Sequence, residues 1–132
     1  MKSFDTFIEV AEDCPAVRAE VPLARGGRAT KAVIHYELIA GEPYALTEED
    51  IAFRTHVAMH DIPATAWPAE RERFLSQDKP RLRVSPLAKR YGWGIHIDSH
   101  GHVGLVPVES AEYQRLATDP ALKHVRAFRS KR

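Results

Sequence analysis

Residues 85–108 read SPLAKRYGWGIHIDSHGHVGLVPV, and the way this stretch closes on itself decides the fold. Ser85-Pro86 is an N-cap followed by a first-turn proline, so a short helix runs through PLAKRY until Gly92. WGIHID and HVGLVPV then flank the tip Ser99-His100-Gly101. With Gly101 in the left-handed position of a three-residue loop, Asp98 pairs with His102, Ile97 with Val103 and Ile95 with Leu105. Trp93 falls opposite Pro107, where the ladder fades because proline has no N–H to donate. Trp93, Ile95 and Ile97 share a face with Val103, Leu105 and Pro107. Gly94, His96, Asp98, His102, Gly104 and Val106 take the other. A two-residue loop would set Ile97 against Gly104 and break the apolar face, so burial selects the longer loop.

Downstream of the hairpin, Ser110 caps a helix bearing Tyr113, Leu116 and Ala117. Asp119-Pro120 stops it, and LKHVRAFR reads as a last strand. Upstream, DTFIEVA at 5–11 reads as a strand, followed by a long connection over 12–30 with Pro15, Pro22 and Gly26-Gly27. Thr30 caps a helix through KAVIHYELIA, with Gly41 as its stop and Pro43 beyond. Residues 47–60 pull two ways. Thr47-Glu48-Glu49-Asp50 has the look of a helix start. Yet Ile51, Phe53, Thr55, Val57 and Met59 alternate with Ala52, Arg54, His56, Ala58 and His60, which places the apolar set on one face of a strand. The expectation is one capped turn and then a strand over 51–59. Pro68 opens a further helix, AERERFLSQ. Together these predict an α+β fold in which residues 1–132 form a single domain. It has one antiparallel sheet of about five strands, including the hairpin near 93–107, with helices packed on one face.

The composition is that of a globular chain: 132 residues, 44% hydrophobic and 28% charged, with a formal net charge of +1. A disordered chain would be poorer in apolar residues, and one cysteine cannot make an internal disulfide framework. No run reaches the ~20 apolar residues that span a bilayer, and the first residues lack the apolar core of a signal peptide. A cytoplasmic protein without a membrane partner is expected. The net charge conceals an uneven distribution. Residues 1–66 carry 11 acidic and 6 basic side chains, and residues 67–132 carry 7 and 13. Lys79–Arg90 and Lys123–Arg132 concentrate the positive charge with no acid among them.

FIEVAEDCP, SPLAKRYGWGIH, ESAEYQRLA and AFRSKR resemble a family of small bacterial single-domain proteins known only as a domain of unknown function. The resemblance runs along nearly the whole chain and is most specific in SPLAKRYGWGIH. It implies a small bacterial protein and supplies no activity, substrate or catalytic residue. His96 lies within the matching run, whereas His100 and His102 lie outside it.

The basic C-terminal half carries the leading functional reading. Lys89, Arg90 and Tyr91 follow the Ser85-Pro86 helix start, His96 sits on the next strand, and Arg126 and Arg129 lie on the last one. Cations interleaved with stackable rings suit a nucleotide, a phosphorylated metabolite or a nucleic acid. These residues are the candidate ligand-binding set of a non-enzymatic binding domain. The competing reading of this patch is internal: Arg126 and Arg129 pairing with the acidic N-terminal half. Two other classes remain open. One is a small enzyme using His96 with Asp98, or using Cys14 as nucleophile. The other is a homodimer or larger homo-oligomer held by the opposite charge of the two halves. His96, Asp98, His100 and His102 are of metal-ligand type, but they match no recognised metal-site spacing. No metal, cofactor or catalytic residue is assigned.

Overall fold

The central strand of the sheet is apolar on both faces, and this sets the architecture. The computed structural model describes residues 4–130, apart from Arg25, Arg28, Asp78 and Pro80. Strand β1 (Thr6–Glu9) is followed by helices α1 (Lys31–Gly41), α2 (Glu48–Met59), α3 (Trp67–Leu75) and α4 (Pro86–Arg90). The hairpin β2 (Trp93–Ile97) and β3 (Val103–Pro107) comes next, then α5 (Ala111–Ala117) and β4 (Lys123–Arg126). The strand order is β3-β2-β1-β4. Phe7 and Ile8 are successive residues of β1 and both are buried, one on each face.

The hairpin has the expected register: Trp93 opposite Pro107, Ile95 opposite Leu105 and Ile97 opposite Val103. Gly101 has φ +83°, and the Asp98 carboxylate accepts the N–H groups of His100 and His102, both at 2.9 Å. Ile8, Ile95, Ile97 and Val103 form a core with α1, α2 and α4. On the opposite face, Phe7 and Val106 pack with Tyr113 and Leu116 of α5. Helices therefore cover both faces, where one was expected. The glycines of the hairpin make room on the α5 side. A Cβ on Gly94 would lie 2.7 Å from the Tyr113 ring and 2.8 Å from Phe7. Gly104 is covered by the ring of Tyr44, which reaches over from the α1–α2 connection. That connection also closes the free edge of β3, with Tyr44 N–H donating to Val103 O and Val103 N–H donating to Leu46 O.

The sheet is mixed and four-stranded, not antiparallel with about five strands. Helix α5 accounts for the mixed pairing. β3 runs in the same direction as β1, and α5 carries the chain back along the sheet, so β4 starts from the same end and pairs parallel to β1.

The missing strand is residues 51–59, which are helical. Both bonds of a capping box are present between Thr47 and Asp50, and three acids occupy the first turn. The alternation that imitates a strand has a helical origin. At ~100° per residue, Ile51 and Thr55 form one stripe, and Phe53 and Val57 form another about 200° away. Ile51 belongs to the core shared with α1, whereas Phe53 meets Trp67 and Phe74 of α3 at centroid distances of 6.0 and 6.1 Å. A helix buried on two opposite sides has a burial pattern with period near two.

The close fit around the hairpin glycines has a measurable consequence. Gly94→Ala is expected to lower stability by roughly 1–3 kcal/mol in urea unfolding, because Phe7 and Tyr113 are fixed in the core. Gly104→Ala should cost less, since the half-exposed Tyr44 ring can swing away. Gly41→Ala, with nothing near its added Cβ, should leave the midpoint unchanged or raise it. Equal losses for all three variants would contradict this account of the packing.

Candidate functional site

The six residues singled out from the sequence do not share one pocket. Helix α4 packs on the Ile95 face of β2, while His96 points to the opposite face, so the sheet separates Lys89 and Arg90 from His96. His96 Nδ1 is 3.1 Å from the Tyr44 hydroxyl, and burial lowers its pKa. Asp98 shares that face but spends an oxygen on the turn. Burial opposes its ionisation, and the N–H groups of His102 and His100 outweigh this and hold its pKa down. No group of three or more His, Cys, Asp or Glu placed to hold a metal ion occurs among the described residues. Tyr91 packs against the core on the α4 side, and Arg90 is exposed. Arg126 stands directly across from Glu9 in the sheet and approaches it to 3.9 Å. Arg129 lies 3.9 Å from Glu12. The tail cations thus meet acids of the N-terminal half. Cys14 packs against the same core, with its sulfur 4.0 Å from Ala16 O.

A cavity of about 360 Å³ lies elsewhere, between α1, α2, α3 and the segment entering α4. Its volume is within the range of small-molecule sites. Lys31, Lys79 and Arg81 supply cations, and His35, His56 and His60 supply imidazoles. Met59, Phe74, Leu82 and Val84 supply apolar surface. No described lining residue is a carboxylate.

The local fold positions each of these groups. Lys31 and His35 are four residues apart on α1, and His56 stands four residues before His60 at the end of α2, so each pair shares a side of its helix. His35 is buried, with Nδ1 2.8 Å from Ser85 Oγ. Ser85 Oγ also accepts the Leu87 N–H at 3.3 Å, as the N-cap of α4. Burial, and then the charge of Lys31, push the His35 pKa down to about 4, so the ring is neutral near pH 7. Lys31 is itself lowered, by desolvation and by Lys89. Lys89 therefore belongs electrostatically to the cavity's surroundings, although it does not line it.

On the far wall, His56 Nε2 is 2.7 Å from a Glu70 oxygen, and its ring stacks on Phe74 with centroids 4.5 Å apart. Arg73 first and His56 second hold Glu70 ionised, with its pKa lowered to about 2. The Arg81 guanidinium lies 4.9 Å over Phe74, and Nη2 donates to Gln77 O at 2.9 Å. Arg81 Nε is buried and has no hydrogen-bond partner among the described residues.

Of these residues only Lys89 was in the set drawn from the sequence. The missed signal was the i, i+4 spacing of His56 and His60. Read as a strand, 51–59 puts both on a solvated polar face. Read as a helix, it puts them side by side with Met59 at one end.

Fold and site together define a small α+β domain built on a mixed four-stranded sheet, with a cation-lined cavity among the helices of one face. The family model for DUF6157, a family of unknown function, matches residues 1–132, and the chain belongs to that family. No curated protein and no solved structure matches it. No helix among the described residues is long and apolar enough to cross a membrane.

The buried imidazole makes stability depend on pH. The unfolded chain takes up the His35 proton near pH 6.5, the folded chain only near 4. Stability should therefore be intact above about pH 6.5, fall as pH drops through that window and level off below about 4, by up to about 3 kcal/mol from this group. His35→Asn keeps a hydrogen-bonding group near Ser85 and cannot titrate. Its denaturation midpoint should fall less between pH 6.5 and 4 than that of the wild type. Parallel midpoint curves would assign the pH dependence to other groups.

Proposed function

We propose that this chain is a binding domain for a small anionic molecule with an apolar body, seated in the cavity between α1, α2 and α3. The observation that carries the reading is the cavity's lining: Lys31, Lys79 and Arg81 around an apolar floor, with no carboxylate among the described lining residues. Three like charges around one cavity repel one another unless an anion compensates them. An anionic guest does so, and its apolar portion gains from contact with Met59, Phe74 and Leu82.

The cavity's volume of about 360 Å³ suits a small molecule better than a nucleic-acid strand, which needs a long groove that follows its backbone. The anion-binding role expected of the C-terminal half is kept, and its centre moves from Arg126 and Arg129 to Arg81 and Lys79. The ion pairs of Arg126 with Glu9 and Arg129 with Glu12 support that move, because cations already paired attract a ligand weakly.

Thermal unfolding with small aromatic probes tests the reading. Benzoate or phenyl phosphate at about ten times Kd should add roughly 1.4 kcal/mol of stability, a rise of several degrees, whereas neutral benzyl alcohol should add little. Arg81→Gln should remove most of the effect of the anions. Equal shifts with the neutral probe, or no shift with either anion up to millimolar concentration, would refute it.

A further inference from the structure

We infer that the cavity is selective for a phosphate monoester: a dianionic head group held between Arg81 and Lys31, with a small apolar body against Phe74 and Met59. This rests on the cavity being an anion site, as proposed above, and specifies which anion it takes.

The charge count comes first. Lys31, Lys79 and Arg81 line one cavity of about 360 Å³, and Lys89 adds its field at Lys31. A monoanion would leave at least two of the lining cations without a counter-charge from the ligand. A dianion balances them more closely. The other ionisable groups on the walls do not supply the missing negative charge. Glu70 is already paired with Arg73 and His56, a Glu48 oxygen accepts the Leu82 N–H, and His35 is neutral near pH 7.

The start of α1 reinforces the excess. Helices α2, α3 and α5 each carry an acid in the first turn, which offsets the positive end of the helix dipole. Helix α1, like the short α4, has none, and it begins with Lys31. Both the dipole and the side chain are therefore positive at this corner of the cavity.

The second, independent observation is at Arg81. Its Nη2 is used on Gln77 O and its plane lies over Phe74, while Nε is buried without a partner among the described residues. A guanidinium held by a ring and a carbonyl lines the cavity in a set orientation, and its planar fork suits a phosphate. The Phe74 ring under Arg81 also offers surface to the ester's organic part, and Met59 adapts to irregular apolar shapes.

The test is isothermal titration of the full chain with phenyl phosphate, benzenesulfonate and inorganic phosphate. Benzenesulfonate has a tetrahedral head with three terminal oxygens, no bridging oxygen and one charge fewer, and inorganic phosphate lacks the ring. At pH 7.5 phenyl phosphate should bind at least about tenfold more tightly than either. The advantage over benzenesulfonate should shrink towards unity at pH 5, where the phosphate ester, with its second pKa near 6, carries a single charge. At pH 5 both anions are singly charged, so any change in the cavity's own charge acts on them alike. Arg81→Gln and Lys31→Gln should each reduce the preference at pH 7.5, and retained far-UV circular dichroism would show that the variants fold. Equal affinities for phenyl phosphate and benzenesulfonate at pH 7.5 would overturn the selectivity and leave the anion site standing. If none of the three binds, the anion site itself falls, and this inference with it.

Discussion

The pairing of Ile95 with Leu105 and of Ile97 with Val103 is the constraint on which the rest of the molecule depends. Side chains alternate along a strand, so this register sends two isoleucines into one core and their neighbours Gly94 and His96 to the other face. A slip of one residue would bury an imidazole among α1 and α4 and present isoleucine to α5. Each buried isoleucine is worth roughly 1.5–3 kcal/mol, so the alternative register is strongly disfavoured. The Asp98 carboxylate, gripping the N–H groups of His100 and His102, fixes the turn that sets this register.

The helical layer is held to the sheet by a mixture of apolar packing and one buried polar contact. Ile39 and Ile51 join the hairpin core, while His35 and Ser85 meet between α1 and α4. Ser85 acts in two ways, capping α4 and satisfying a ring nitrogen that would otherwise be buried unpaired. Because His35 also faces the cavity, the contact that joins two helices doubles as part of the site's floor. The third wall exists because α2 is buried on two sides. Its Phe53 stripe recruits α3, and α3 brings Phe74 and Glu70 to His56.

The charge of the chain resolves along the same lines. The acidic first half and basic second half meet at the β1–β4 edge, where Glu9 faces Arg126 and Glu12 faces Arg129. These pairs are partly exposed and of modest energy. Their effect is on where positive field remains. It is spent along the tail and persists around Lys31, Lys79 and Arg81, where no described carboxylate lines the cavity.

Local sequence determined a good part of this structure. The hairpin register, the left-handed Gly101, the helix stop at Gly92, and the Thr30, Ser85 and Ser110 caps were all readable, because each depends on neighbours in the chain and on one or two backbone angles. What tertiary structure alone decided were the features that depend on a partner distant in sequence. The alternation of residues 51–57 is a strand pattern in isolation, and becomes two helical stripes only once α1 and α3 stand on either side. The direction of β4 depends on where α5 delivers the chain. The site combines Lys31, His56 and Arg81 from three separate segments, and no spacing along the chain encodes their meeting. Periodicity reports how many sides of an element are covered, but not by what; burial by the rest of the fold supplies that answer.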